Sequence, residues 1–324
     1  MKKFMKGCAV TAVILVAAGL VLGIVGSTAR GSETISRVVE TVTGGRVKIN
    51  FGTGGEWSIM AGDNILDSLG EVNYDIGEFS SFSGRYEVWK GDVEKYRLEG
   101  TVTNLDIEAG GCSFRVEDSG DDFFYVEAES TGKFQAYVED ETLYLKTTTG
   151  GVTAWDELSG SKIILYIPGG YRFQQAEVDL GAGMMEIPDL KAAEASLEVG
   201  AGRIVVGKAE AAVLDVSVGA GQIELEEMDI AELNAEVGMG GLNARGAVSG
   251  YIDAECSMGS LELLLTGKKE DFNYELSGAM GSLNLAGESY GGFVQERNID
   301  NGAEKTMEID CSMGNVTIGF QASE

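Results

Sequence analysis

Residues 199–225, VGAGRIVVGKAEAAVLDVSVGAGQIEL, state one phrase twice: an apolar residue, Gly-Ala-Gly, then alternating polar and apolar residues. Aligned on the second glycine, the phrase recurs at Gly183, Gly202, Gly221, Gly240 and Gly259, each step being 19 residues. Gly281 and Gly314 continue it after steps of 22 and 33 residues, which places insertions near 267–272 and 287–305. A fixed period of this length belongs to a chain of stacked, similar units rather than to an ordinary globular topology.

Two rows ahead of the anchor are apolar. Five residues before it stand Val178, Leu197, Val216, Ala235, Ala254, Leu276 and Ile309; three before it stand Leu180, Val199, Val218, Val237, Cys256, Gly278 and Cys311. Two and four residues after it, positions such as Ile204, Ile223, Leu261 and then Val206, Leu225, Leu263 are apolar too. Alternation with period two on both sides of a glycine corner predicts two short strands per unit, each with one buried face. One such unit cannot offset the entropy of ordering its own backbone, so neighbouring units must supply ladder hydrogen bonds. The expected fold class is all-β: a β-solenoid, a single-stranded parallel β-helix-like stack of 19-residue coils. With 47 glycines and only 2 prolines, the corners are expected to need positive φ.

The chain has no histidine, which excludes Ser-His-Asp and Cys-His catalysis and histidine-ligated zinc. Gly200-Ala201-Gly202 is no nucleotide fingerprint, because Val205 stands where the third glycine belongs and no helical pattern follows. No catalytic residue and no cofactor is expected.

Outward positions carry more chemistry. Four residues before the anchor are Asp179, Glu198, Ser217, Glu236, Glu255, Ser277 and Asp310; six before it are Glu177, Ser196, Asp215, Asn234, Asp253, Glu275 and Glu308. Two carboxylate stripes on one face should repel along the ladder. A cation stripe formed by Asp179, Glu198, Asp215, Glu236, Asp253 and Glu255 is one expectation, with oxygen ligands of the kind calcium takes. Solvation and protection against sheet-to-sheet association is the favoured one. The residue just before the anchor runs Ala182, Ala201, Ala220, then Met239, Met258, Met280 and Met313. Continued alternation makes this an interior column filled by adaptable thioethers, with a Cu(I)-binding methionine site as the alternative. Cys256 and Cys311 share a row with Gly278 between them; two coils apart, they are expected to lie too far apart for a disulfide.

The chain begins with Lys2, Lys3 and Lys6 ahead of an uncharged run over 7–29, close to the ~20 residues that span a bilayer. This predicts a single-pass membrane anchor, with its amino terminus inside and the remainder outside. A cleaved signal peptide ending near Ala29 is the rival. The expected divisions are a cytoplasmic tail 1–6, the anchor 7–29, a connecting segment 30–95 and the stack 96–324. The connecting segment contains a hairpin-like run over 42–57, a short helix near 65–69, and Trp57, Tyr74, Phe79, Phe82 and Trp89 as an adhesive or membrane-facing set. The net charge of −28 disfavours nucleic acid and anionic lipid headgroups as partners. Phe320 is expected to plug the carboxyl end, and 287–301 is a candidate binding loop.

The order of TLYLK, then KIILYIPGGYRFQQAEVDLGAGMMEI, then serial Val-Gly-x-Gly corners resembles a bacterial family of unknown function labelled "putative adhesin", which carries β-strand repeats; the likeness covers 96–324. The resemblance implies a cell-envelope β-solenoid and brings no catalytic residues. The expectation is therefore a non-catalytic adhesion, binding or structural module, whose partner is a surface ligand, an envelope protein or a glycan. A carbohydrate-active enzyme of the parallel β-helix type, working through paired carboxylates, is the alternative; an envelope stress or signalling accessory is a third.

Overall fold

The computed structural model describes residues 47–51, 57–61, 82–147, 161–278, 280–291 and 296–322. The predicted anchor, the helix near 65–69, Tyr74 and Phe79 lie outside them, and no helix among the described residues is long and apolar enough to cross a membrane. The chain divides into two compact units, Met1–Asp75 and Ile76–Glu324. In the first, β1 (Val47–Phe51) and β2 (Trp57–Ala61) pair antiparallel as a hairpin, from Phe51 opposite Trp57 to Val47 opposite Ala61.

Among its described residues, the second unit is all-β apart from a single 3-10 turn at Lys269–Asp271. Its centre comprises β8 (Arg172–Val199), β9 (Arg203–Val218), β10 (Gln222–Val237) and β11 (Gly241–Cys256), paired parallel in that order. The register runs Val199 to Val218 to Val237 to Cys256, so residues one 19-residue period apart lie directly over one another. All four apolar rows point inward, and every member is buried except Gly278, which is partly exposed. Six side chains of β9 fill its interior: Ile204, Val206, Ala209, Leu214, Val216 and Val218. Each large aliphatic one contributes roughly 1.5–3 kcal/mol on burial. In place of the expected two short strands per unit, residues 207–213 lie within β9, so each unit is one bent 16-residue strand and a three-residue corner.

The corners hold a different reason for glycine than the sequence suggests. Gly183 has φ +104, but Gly202, Gly221, Gly240, Gly259, Gly281 and Gly314 are not among the positive-φ residues. A Cβ on Gly240 would lie 2.1 Å from the Gly221 carbonyl oxygen, and one on Gly259 would lie 2.3 Å from that of Gly240. The corner ladder continues through these residues, with Ala220 N donating to Gly200 O at 2.7 Å and Met239 N to Gly219 O at 2.8 Å. Close passage of the coil below excludes a side chain there; backbone handedness does not.

Both ends of the stack depart from chain order. At the amino end, β4 (Asn104–Asp118) lies parallel on β8. The next layer is β6 (Thr142–Thr147) together with β7 (Lys162–Ile167), both parallel to β4. Over that layer lies β5 (Phe124–Glu139), antiparallel, and β3 (Trp89–Leu98) pairs antiparallel with β5 at the edge. The expected boundary at 95/96 therefore falls inside β3. At the carboxyl end, β12 (Ser260–Thr266) continues from β11, and the chain then skips one layer to form β13 (Phe272–Gly278) and β14 (Ser282–Leu285). Antiparallel strands β15 (Glu288–Gly291) and β16 (Arg297–Ile299) cap this layer. The chain returns as β17 (Lys305–Cys311) and β18 (Asn315–Gln321) to fill the skipped slot, parallel to strands on both sides.

This order corrects two expectations. Phe320 is not a terminal plug: β18 is an inner layer, and Phe320 packs against Phe272 at 6.2 Å between ring centroids. Cys256 and Cys311 are direct ladder partners, one coil apart and not two, because the Gly278 layer lies beyond Cys311. The ~4.8 Å spacing of neighbouring strands puts their Cα atoms within disulfide range. In this structure both are buried free thiols, and burial pushes the Cys256 thiol up to about 11.

Candidate functional site

Three outward features result from stacking like on like. The first is the acidic face. Parallel register extends its two rows onto β4, where Asp106 pairs with Glu177 and Glu108 with Asp179, and threads Glu308 and Asp310 between Asp253 and Glu275 and between Glu255 and Ser277. Burial and then the neighbouring carboxylates Glu198, Glu108, Asp106 and Glu177 raise Asp179 to about 7. Burial raises Asp106 to about 6, against the opposing pull of Lys146. Glu236, Asp253 and Glu255 are displaced in the same direction, burial first.

Three devices lower the repulsion that the rows imply. Neutral members hydrogen-bond to the acid one coil away: Asn234 Nδ2 donates to Asp215 Oδ1 at 2.8 Å, and Ser277 Oγ to Asp310 Oδ2 at 2.8 Å. Lys146 Nζ closes the amino end of one row on Glu108 at 2.7 Å. The raised carboxyls hold their protons further up the pH scale. The six residues of the expected cation stripe, Asp179, Glu198, Asp215, Glu236, Asp253 and Glu255, thus share one face in two rows. Among the described residues, no three Asp, Glu or Cys side chains converge on a point that could hold a metal ion.

The second feature is the corner column. A shallow groove of about 480 Å³ follows it, lined by Ala201, Gly202, Arg203, Ala220, Gly221 and Gln222 with adjacent glycines. Beyond the groove the alanines give way to methionines, and here the interior-column expectation fails. Met239 is 37% exposed, Met313 51% and Met280 66%, while Met258 is half-buried. Alternation is broken at the corner: the residue three before the anchor points in, but the backbone turns before the next alternate position, so that position faces solvent. The spatial order is Met239, Met258, Met313, Met280, because Met313 N donates to Ser257 O at 2.7 Å and Met280 N to Ser312 O at 2.7 Å.

The third feature is aromatic and lies at the amino end, where the sequence suggested only strands. Lys95 Nζ sits 3.8 Å from the ring centre of Tyr166 and 4.6 Å from that of Tyr125. The Arg97 guanidinium lies over Phe123 at 3.4 Å. Of the expected adhesive set, Trp89 instead packs on Phe134 and Tyr96, with centroids 5.2 and 5.0 Å apart. The candidate binding loop 287–301 contributes, in its described residues, the capping strands β15 and β16.

An all-β wall with its outward chemistry sorted into columns is a repeat architecture. The chain belongs to the Toastrack DUF4097 family, whose model matches residues 102–319. No curated protein matches it. Among solved structures it is similar to a "putative adhesin" from Bacteroides fragilis, with 14% identity, a TM-score of 0.39, and coverage of 74% of this chain and 98% of that one. It is also similar to a "putative cell adhesion protein" from Clostridium sporogenes, with 12% identity, a TM-score of 0.27, and coverage of 73% and 100%. A "putative lipid binding protein" from Parabacteroides distasonis matches with 15% identity, a TM-score of 0.34, and coverage of 74% and 98%. Superposition as loose as this carries no argument about function.

Proposed function

We propose that the chain is a non-catalytic β-solenoid at the bacterial surface, anchored by its apolar segment 7–29, whose acidic face contacts a cationic patch of an envelope protein. The in-register stacking of carboxylates carries the reading. It turns single acidic residues into two continuous rows along one face, and a field of one sign steers and holds a partner of the other. The rows are monotonous along the stack, and the raised value of Asp179 follows from burial first and then from its stacked neighbours. A paired-carboxylate enzyme would need two carboxyls set apart from such a row.

Site-directed photo-crosslinking in intact cells tests this. A crosslinker replacing Ser217, inside the acidic face, is expected to capture an envelope protein in a salt-sensitive manner, whereas one replacing Gln222, at the corner groove, is not. Equal capture from both sites, or none from Ser217, overturns the proposal. For the anchor, deletion of 7–29 is expected to release the chain from the membrane fraction; retention there overturns that part.

A further inference from the structure

We infer that the corner methionines Met258, Met313 and Met280, with Met239 extending the ladder, form a binding site for a soft monovalent metal ion, copper(I) in the cell and silver(I) as its redox-inert probe. This goes beyond the acidic-face reading and does not depend on it.

The column is continuous although the chain is not. Met280 precedes Met313 in sequence, yet the strand order puts Met313 between Met258 and Met280, so the slotted-in layer keeps the thioether ladder unbroken. Successive members stand one strand spacing apart, ~4.8 Å at the backbone. Three rotatable bonds per side chain let sulfurs from adjacent coils converge on one ion. The exposure of Met239, Met313 and Met280 removes interior packing as the role of the column, and the first three coils show that alanine suffices for the corner itself.

The surroundings suit a soft cation and little else. Flanking corner positions are uncharged: Gly238, Ser257 and Ser312 on one side, and Gly241, Ser260, Ser282 and Asn315 on the other. Neither a lysine nor an arginine stands in these positions to repel an ion, and no carboxylate stands there to favour calcium or magnesium. Thioethers select Cu(I) over hard cations and carry no proton to be displaced. A net charge of −28 raises the local concentration of any cation.

The test uses the full-length chain in detergent, labelled with ¹³C at the methionine methyls and titrated with silver nitrate in chloride-free buffer. The resonances of Met258, Met313 and Met280 are expected to move saturably near one equivalent. Exposed Met184, in the neighbouring row with Arg203 and Gln222, and buried Met185, Met228 and Met307 are expected to stay. The triple variant M258L/M313L/M280L keeps the apolar bulk and is expected to lose affinity at least ~100-fold; M258A/M313A/M280A, which copies the first three coils, is expected to do the same while keeping its melting temperature. Copper(I) under anaerobic ascorbate is expected to displace silver from the same methyls. Absence of saturable shifts overturns the inference, and so does undiminished silver binding by the leucine variant, which would put the ion on the cysteine thiols.

Discussion

The centre and the two ends of the stack solve the same problem differently. From β8 to β11 each coil lies on the one made 19 residues earlier, and every corner is a glycine admitted for lack of space. At the ends the chain overshoots by a layer, reverses in a tight hairpin and fills the gap. Among the described residues, the three non-glycine ones with positive φ all sit in these reversals: Asp140 and Glu141 between β5 and β6, and Ala286 between β14 and β15. Two-residue hairpins with both central φ positive match the twist of the strands they join. The difference teaches that an ordered parallel stack has no natural stop. Its open edge would pair with another chain, and here antiparallel strands cap it at both ends.

The largest test of this division is removal of the returning strap. Deleting 305–324 takes out β17 and β18, the layer on which β13 and β14 rest. Hydrogen exchange is expected to show lost protection from β12 to β16 and intact protection in β8–β10. Collapse of the whole chain would show that the centre depends on its ends.

Next in size is Gly240→Ala. The new methyl meets the Gly221 carbonyl at 2.1 Å, and overpacking against backbone has no rotamer to absorb it. A loss of about 3 kcal/mol in denaturant unfolding is expected. Gly240→Asn is expected to be no better, since the obstacle is space; rescue by asparagine would mean that handedness matters there after all.

A smaller effect comes from the acidic face. Asp179 rises from 3.8 to about 7 on folding, so the native state holds a proton that the unfolded chain has already released. Stability is therefore fullest below about pH 4 and falls as pH climbs towards 7. Asp106, raised to about 6, adds in the same direction. Solvent screening at the partly exposed rows limits the sum to about 2 kcal/mol. Asp179→Asn is expected to stabilise the chain at pH 8 by about 1 kcal/mol and to flatten its melting curve against pH; an unchanged slope would show that the row is solvated independently of its neighbours.

The smallest effect belongs to the end hairpin. Ala286 has φ +52 beside Gly287 at φ +83. Asparagine tolerates this region, so Ala286→Asn is expected to gain roughly 0.5 kcal/mol in thermal unfolding. A loss there would mean that the reversal is held by its contacts and not by its turn.

The sequence by itself determined the period, the all-β class, the four buried rows and the two acidic ones, because local alternation and a 19-residue repeat are both written along the chain. The hairpin over β1 and β2 was legible for the same reason. Only the tertiary structure decided which way the corner residue faces, why its glycines are glycines, and which coil rests on which. Met313 reached the surface because the turn breaks alternation, and Gly240 stays bare because another coil's carbonyl occupies its side-chain space. Cys256 met Cys311 because the skipped slot was filled last. Each of these depends on contacts between layers, and layers of equal width accept one another in more than one order, so a periodic sequence cannot specify its own sequence of stacking.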